Sequence, residues 1–97
     1  MASDANDLTI HFEEDNIVKV KELDKIILSK GAWATIIFKY QQWDAKNEKY
    51  GKVGYSIRRY QKRNDRYSQK SKFNISSNEQ AHKIIDALQK WTAEPDE

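Results

Sequence analysis

One amphipathic segment near the end of the chain, residues 78–91, limits most strongly what this sequence can fold into. Its apolar residues recur at the spacing that places side chains along one face of an α-helix. These residues are Ala81, Ile84, Ile85, Leu88 and Trp91. Ser76 or Ser77 can cap the helix, with Glu79 or Gln80 three residues later as the partner in a capping box. The pattern predicts one helix, and one helix can cover only one face of a sheet.

The preceding segments read as strands. Residues 33–43, 53–63 and 66–76 are rich in aromatic and β-branched residues that alternate with polar ones. A polar loop, residues 44–52, separates the first two, and the turn Asn64-Asp65 separates the last two. Shorter strands are expected near residues 8–12 and 17–20, on either side of a turn at residues 14–16. Residues 23–30 fit either a continued strand or a helical turn.

These elements predict an α+β fold in which an antiparallel sheet of about four strands is followed by one helix (ββββα). A chain of 97 residues suits one domain with one core. We expect a disordered tail over residues 1–7, a single domain over residues 8–92 and an acidic tail over residues 93–97. Because one helix and one sheet make a thin core, we also expect a homodimer, with Ile84, Leu88 and Trp91 as contacts.

Charge is segregated along the chain. Residues 1–24 contain seven acidic residues and two lysines, whereas residues 39–72 contain eleven Lys or Arg and three acidic residues. Such segregation indicates either an anionic partner or an acidic segment that screens the basic one. A plain solvated charged surface is the alternative interpretation.

Because side chains alternate along a strand, the sequence predicts which residues lie on the covered face of the sheet and which lie on the open face. The face expected under the helix carries Ile36, Phe38, Tyr55, Ile57, Phe73 and Ile75. The open face is expected to carry basic and aromatic side chains, as single-stranded nucleic acid requires for phosphate neutralisation and base stacking. The candidate binding residues are Trp33, Lys39, Trp43, Arg58, Tyr60, Lys62, Arg66, Lys70 and Lys72. There are two alternative interpretations of these residues. The tryptophans would pack at strand edges, and Arg58 and Arg59 would pair with the acidic N-terminal segment.

Other classes of function have little support. The chain has no cysteine, only three glycines, and two histidines in unrelated segments, so we expect no metal site, no cofactor and no enzymatic activity. No apolar run approaches the length needed to span a bilayer, and the N-terminus is polar and acidic. We therefore expect a cytoplasmic protein without a membrane partner.

Two short motifs resemble the transcriptional positive cofactor four family. Residues 55–60, Tyr-Ser-Ile-Arg-Arg-Tyr, resemble its Ile-x-Ile-Arg-x-Tyr strand, and residues 72–80 resemble its Lys-Gly-Ile-Ser-Leu-x-x-Glu-Gln entry into a helix. The resemblance covers residues 33–91. It implies a dimer that binds single-stranded DNA on its sheet, as in related Whirly and Pur-type folds, with Arg58, Tyr60 and Lys72 facing the ligand. The family glycine is Phe73 here, and its helix tryptophan is Ala81.

The sequence therefore predicts a non-enzymatic protein that binds single-stranded DNA or RNA, with a possible role in transcription regulation. The alternative is a protein–protein interaction module that uses the same sheet face to hold an acidic partner.

Overall fold

The computed structural model of the protein describes residues 3–95, which form one antiparallel sheet and one C-terminal helix. The strands are β1 (Phe12–Glu14), β2 (Ile17–Ser29), β3 (Trp33–Asp44), β4 (Lys49–Tyr50), β5 (Gly54–Arg63) and β6 (Arg66–Ile75), and the helix is α1 (Asn78–Thr92). The strand order is β1-β2-β3-β5-β6, and β4 pairs with one end of β3. The predicted α+β class is confirmed, with six strands in place of about four.

Two tight turns fix the hairpins at both edges of the sheet. Asp15 and Asn16 join β1 to β2, and Asn64 and Asp65 join β5 to β6, all four with φ between 52° and 64°. Two-residue hairpin loops favour this left-handed backbone because it matches the strand twist, and Asn and Asp tolerate it best. Both turns were predicted. The ambiguous residues 23–30 continue β2 as a strand through Ser29.

The helix begins as the capping residues predict. The backbone N–H of Gln80 donates to Ser77 Oγ over 3.1 Å, and the Gln80 side chain accepts from the backbone N–H of Ser76 over 3.1 Å. The helix then lies over one face of the sheet, beside Ile37, Ile57 and Ile75. We call this side of the sheet the helix face.

Register assigns the two faces differently from the prediction. Ile37 pairs with Ile57, whereas Phe38 pairs with Ser56 and Ile36 pairs with Arg58. Directly opposed residues point to the same side of a sheet, so Ile36 and Phe38 lie away from the helix. The expectation that they share the helix-covered face with Tyr55 and Ile57 is wrong. Alternation shows which residues of one strand share a side. It does not show which side of the neighbouring strand they join, because a shift of one residue in the pairing exchanges the two sides.

The N-terminal segment covers the second side of the sheet, which we call the N-terminal face. Ala5, Leu8 and Ile10 are buried there. They pack against Ala34, Ile36, Phe38, Tyr60 and Tyr67. Residues 5–7 form a 3₁₀ turn, in which Ala5 is buried and adds to the apolar cover of Phe38 and its neighbours. The disordered tail expected over residues 1–7 stays a prediction. Residues 1 and 2 of that predicted tail, and residues 96 and 97 of the C-terminal one, lie outside the described residues.

Two charged side chains of β2 hold this segment in place. Lys25 Nζ donates to the backbone oxygens of Asn6 and Leu8 over 2.6 and 2.5 Å. The Glu22 carboxylate accepts from the Thr9 hydroxyl over 2.7 Å and from the Ile10 backbone N–H over 3.2 Å. These bonds satisfy backbone groups of a segment that has no strand partner at that point. The acidic and basic residues of β2 therefore have a structural role.

A bulge in β6 changes which of its residues face the helix. Arg59 pairs with Ser71 and Tyr60 pairs with Gln69, so Lys70 is the extra residue. Tyr67 consequently lies on the N-terminal face, while Phe73 and Ile75 lie on the helix face. Regular alternation would place Tyr67 on the same face as Phe73 and Ile75, because even numbers of positions separate these residues.

Candidate nucleic-acid interface

The β5–β6 hairpin, residues 54–75, concentrates positive charge at one edge of the sheet. Its two strands contain seven Lys or Arg and no acidic residue, and its turn contains Asp65. The cations are Arg58, Arg59, Lys62, Arg63, Arg66, Lys70 and Lys72. We call this element the basic hairpin. Its strand β6 is the edge of the sheet, so the hairpin is open along one side.

Two cross-strand pairs in the basic hairpin oppose like charges. Arg58 lies directly opposite Lys72, and Arg63 lies directly opposite Arg66. Within residues 3–95 the single ion pair joins Lys83 to Glu79 on the helix, so neither pair has an acidic neighbour at ion-pair distance. Like charges placed directly opposite each other destabilise a sheet. A bound anion between them would remove that repulsion.

The nine predicted binding residues lie on two sides of the sheet. Arg58, Tyr60, Lys62 and Lys72 lie on the N-terminal face, by their pairing with β3 and β6. A second group follows the alternation of the helix face. It consists of Trp33, Lys39, Trp43 and Arg66. Lys70 occupies the bulge. The prediction that all nine share one open face is therefore wrong. β3 pairs with β5 in the register that opposes Ile36 to Arg58, and the bulge at Lys70 moves Arg66 to the helix face.

Arg58 is held by a polar network on the N-terminal face. Its Nε donates to Ser56 Oγ over 3.0 Å, and its Nη1 donates to Gln69 Oε1 over 3.1 Å. Ser56 Oγ in turn donates to Asn74 Oδ1 over 2.7 Å. A guanidinium has five N–H donors, so this network orients the group and leaves donors for an anion. The bonding partners are neutral, so the charge of Arg58 is not cancelled.

Tyr60 is covered and does not present its ring to a ligand. Its side chain is 5% exposed and packs within the cluster that includes Leu8 and Ile10. Burial raises the pKa of the Tyr60 hydroxyl above its usual value, the nearby Arg58 lowers it, and Glu22 raises it. The Tyr60 side chain therefore has almost no accessible surface for the predicted contact with a ligand.

The tryptophans differ in what surrounds them. Trp43 is half-buried and packs edge to face with Tyr50, with 5.2 Å between the ring centroids. Trp33 is 40% exposed, and the guanidinium carbon of Arg59 lies 4.5 Å from the centroid of its ring. Trp33 thus remains accessible beside a cation. Arg59 was not among the predicted binding residues, because its proximity to Trp33 depends on strand register.

An apolar groove separates α1 from the helix face, with a cavity of about 520 Å³. Leu28, Ile37, Ile57 and Ile75 line its sheet side. On the helix side, Ile84 is half-buried, and no residue of α1 is fully buried. Ile85, Leu88 and Trp91 are between 46% and 62% exposed. The apolar stripe of the helix is therefore only partly used within one chain.

The described residues contain no group of three or more His, Cys, Asp or Glu side chains arranged to hold a metal ion. Over the same part of the chain, the helix is too short and too polar to cross a membrane. Comparison with family models, with curated proteins and with solved structures finds no match to this chain. The resemblance to the transcriptional positive cofactor four family stays a prediction.

Proposed function

We propose that the protein binds single-stranded nucleic acid, DNA in the first instance, through the basic hairpin, without enzymatic activity. The observation that carries this proposal is the pair of like-charge oppositions, Arg58 with Lys72 and Arg63 with Arg66. Each places two cations side by side at a spacing set by the ladder, and each costs stability in the absence of an anion. Phosphates repeat along a nucleic-acid backbone, so one strand can contact both pairs, one on each face of the hairpin.

A single strand fits this surface better than a duplex. The one helix turns its apolar stripe towards the sheet, so it is not presented for a major groove. The cations of the basic hairpin and the accessible Trp33 on the neighbouring strand β3 supply the two contacts that unpaired strands use, phosphate neutralisation and stacking. A cytoplasmic location and a role in transcription regulation accompany this proposal.

Fluorescence anisotropy with labelled oligo-dT, measured over a series of salt concentrations, tests the proposal. We expect binding at low salt that weakens steeply as salt increases, because phosphate contacts release counterions. Replacing Arg58 and Lys72 with alanine should weaken binding and flatten the slope of log K against log salt by about 1.4, at roughly 0.7 for each phosphate contact on a single strand.

The matched control removes two positive charges from the helix instead, through Lys83→Ala with Lys90→Ala. Both lysines are exposed and lie outside the basic hairpin, and the control has the same net charge as the test variant. Absence of binding at low salt would overturn the proposal. So would an equal loss in both variants, since non-specific attraction would then explain the binding.

We further propose that the protein is a homodimer that buries the apolar groove and the exposed stripe of α1. The chain exposes 7380 Å², whereas a compact monomer of its mass exposes about 5,800 Å². Its radius of gyration is 15.8 Å, against about 12.5 Å for a compact chain of this length. The excess surface exceeds the roughly 800 Å² that each partner contributes to a stable interface.

A protein–protein interaction module is the second candidate function. The strand β6 favours this candidate, because it has ten residues, lies at the edge of the sheet and carries Lys70 and Lys72. An extended acidic segment of another protein could pair with such an edge. Isolation of one protein partner in a nuclease-resistant complex, together with no oligonucleotide binding, would favour this candidate over the first.

A further inference from the structure

Arg59 and Trp33 form a cation–π pair on the helix face, at the part of the sheet that the helix groove does not include. The guanidinium carbon lies 4.5 Å from the indole centroid, Trp33 is 40% exposed, and Arg59 is exposed. Neither residue lines the groove beneath α1. The pair is therefore accessible while the helix is in place.

The residues around this pair are neutral or positively charged. Trp33 lies opposite Gln61, and Arg59 lies between Thr35 on β3 and Ser71 on β6. The like-charge pair Arg63 and Arg66 follows on the same face towards the turn, about 13 Å along β5 from Arg59. No acidic side chain occupies this part of the two strands, so nothing within them competes for the guanidinium.

We propose that the outer plane of the Arg59 guanidinium, supported by the Trp33 indole, is a stacking site for one unpaired base. The adjoining phosphates of the same strand lie over Arg63 and Arg66. The inference rests on the proposed function and deepens it, because it assigns a base-contacting position on the opposite side of the sheet from Arg58 and Lys72. The bound strand therefore passes around the free edge of the sheet at β6.

The chemistry of the guanidinium supports a base as the ligand. An arginine side chain is planar and weakly hydrated, and it stacks on flat rings, whereas a lysine ammonium is a strongly hydrated point charge. An indole behind the guanidinium favours its position through cation–π attraction. Bases in single strands stack on aromatic rings and on arginine planes alike. Tyr60, the aromatic candidate on β5, is covered and cannot take this role.

A comparison of oligo-dT with an abasic oligomer of the same length separates stacking from phosphate contact. Arg59→Lys keeps the positive charge and removes the planar group. We expect it to weaken oligo-dT binding roughly fivefold or more, at the lower end of what one stacked base contributes. It should leave abasic binding and the salt slope unchanged.

Trp33→Leu should reproduce the selective loss of oligo-dT binding. If that variant is unfolded by circular dichroism, Arg59→Lys decides alone, since Arg59 is exposed and its charge is kept. Phe12→Leu is the control, because Phe12 is an exposed aromatic residue at the opposite edge of the sheet. It should change neither affinity.

The two proposals fail in different ways. If the wild-type protein binds oligo-dT but Arg59→Lys binds both oligomers as the wild type does, or weakens both equally, the stacking site is wrong and the proposed function stands. If the wild-type protein binds neither oligomer at low salt, both proposals are overturned.

Discussion

At the scale of single residues, the pairing of Arg58 with Lys72 links stability to function. The pair costs free energy in the isolated protein, since the two cations oppose each other across the ladder and the hydrogen-bond partners of Arg58 are neutral. A protein optimised for stability alone would have an acidic residue at one of the two positions. Functional surfaces often depart from the most stable arrangement in this way.

Lys72→Glu should therefore stabilise the protein while weakening nucleic-acid binding. The new carboxylate would face Arg58, and an opposite-charge cross-strand pair contributes about 0.2–1 kcal/mol. Urea unfolding should give a higher midpoint, and oligo-dT anisotropy should give a lower affinity. Lys30→Glu is the control for the same change in charge, because Lys30 is exposed, lies outside the basic hairpin and is not part of the Lys83–Glu79 ion pair. A lower midpoint for Lys72→Glu would contradict the account of the pair.

The raised pKa of Tyr60 predicts that the folded protein loses stability at alkaline pH. Its pKa is raised in the folded protein by burial, so below pH 10 the tyrosine is protonated in both states and contributes no pH dependence. As the pH rises above 10, the hydroxyl ionises first in the unfolded chain, which lowers the free energy of unfolding. Urea unfolding at intervals from about pH 8 to pH 11 should show a smaller decline in Tyr60→Phe than in the wild type. Equal declines would mean that Tyr60 ionises alike in both states.

At the scale of elements, the sequence predicts those features that depend only on residues close together in the chain. The capped helix, the turn at Asn64-Asp65 and the strands β3, β5 and β6 each follow from periodicity or turn chemistry within one segment. The two sides of β5 also follow from alternation alone. The pairing of β3 with β5 and the bulge at Lys70 do not, because both depend on contacts between segments. The candidate site was divided between two faces for this reason.

Deletion of Lys70 tests the role of the bulge. Without the extra residue, β6 alternates regularly, so either Tyr67 or Ile75 must leave its buried position. Loss of a large buried side chain costs about 2–4 kcal/mol, and we expect a decrease of that size in the free energy of unfolding. Lys70→Ser keeps the residue count and should stay within about 0.5 kcal/mol of the wild type. Equal stability of the deletion and the wild type would show that the bulge is dispensable.

At the scale of the whole molecule, the N-terminal segment, residues 5–10, covers part of the second face of the sheet. Leu8 and Ile10 alternate with polar residues, which predicted a strand, yet they pack on the N-terminal face as an extended segment held by Glu22 and Lys25. The sequence pattern predicts one amphipathic helix and an open second face of the sheet. The part of that face around Phe38 and Tyr60 is covered, Lys72 at its edge is exposed, and the helix side retains unburied apolar surface.

The exposed stripe of α1 makes dimerisation testable at a single position. Leu88 is 53% exposed and lines the apolar groove, so a charge there would be buried without a partner in any dimer that uses this surface. We expect Leu88→Glu to convert the dimer to a monomer in sedimentation equilibrium. The wild type should unfold at a temperature that rises with protein concentration, and the variant should lose that dependence. Gln89→Glu adds the same charge at a neighbouring exposed position outside the stripe and should remain dimeric. A wild-type protein that sediments as a monomer at micromolar concentrations would overturn the dimer, and the groove would then be open to another partner.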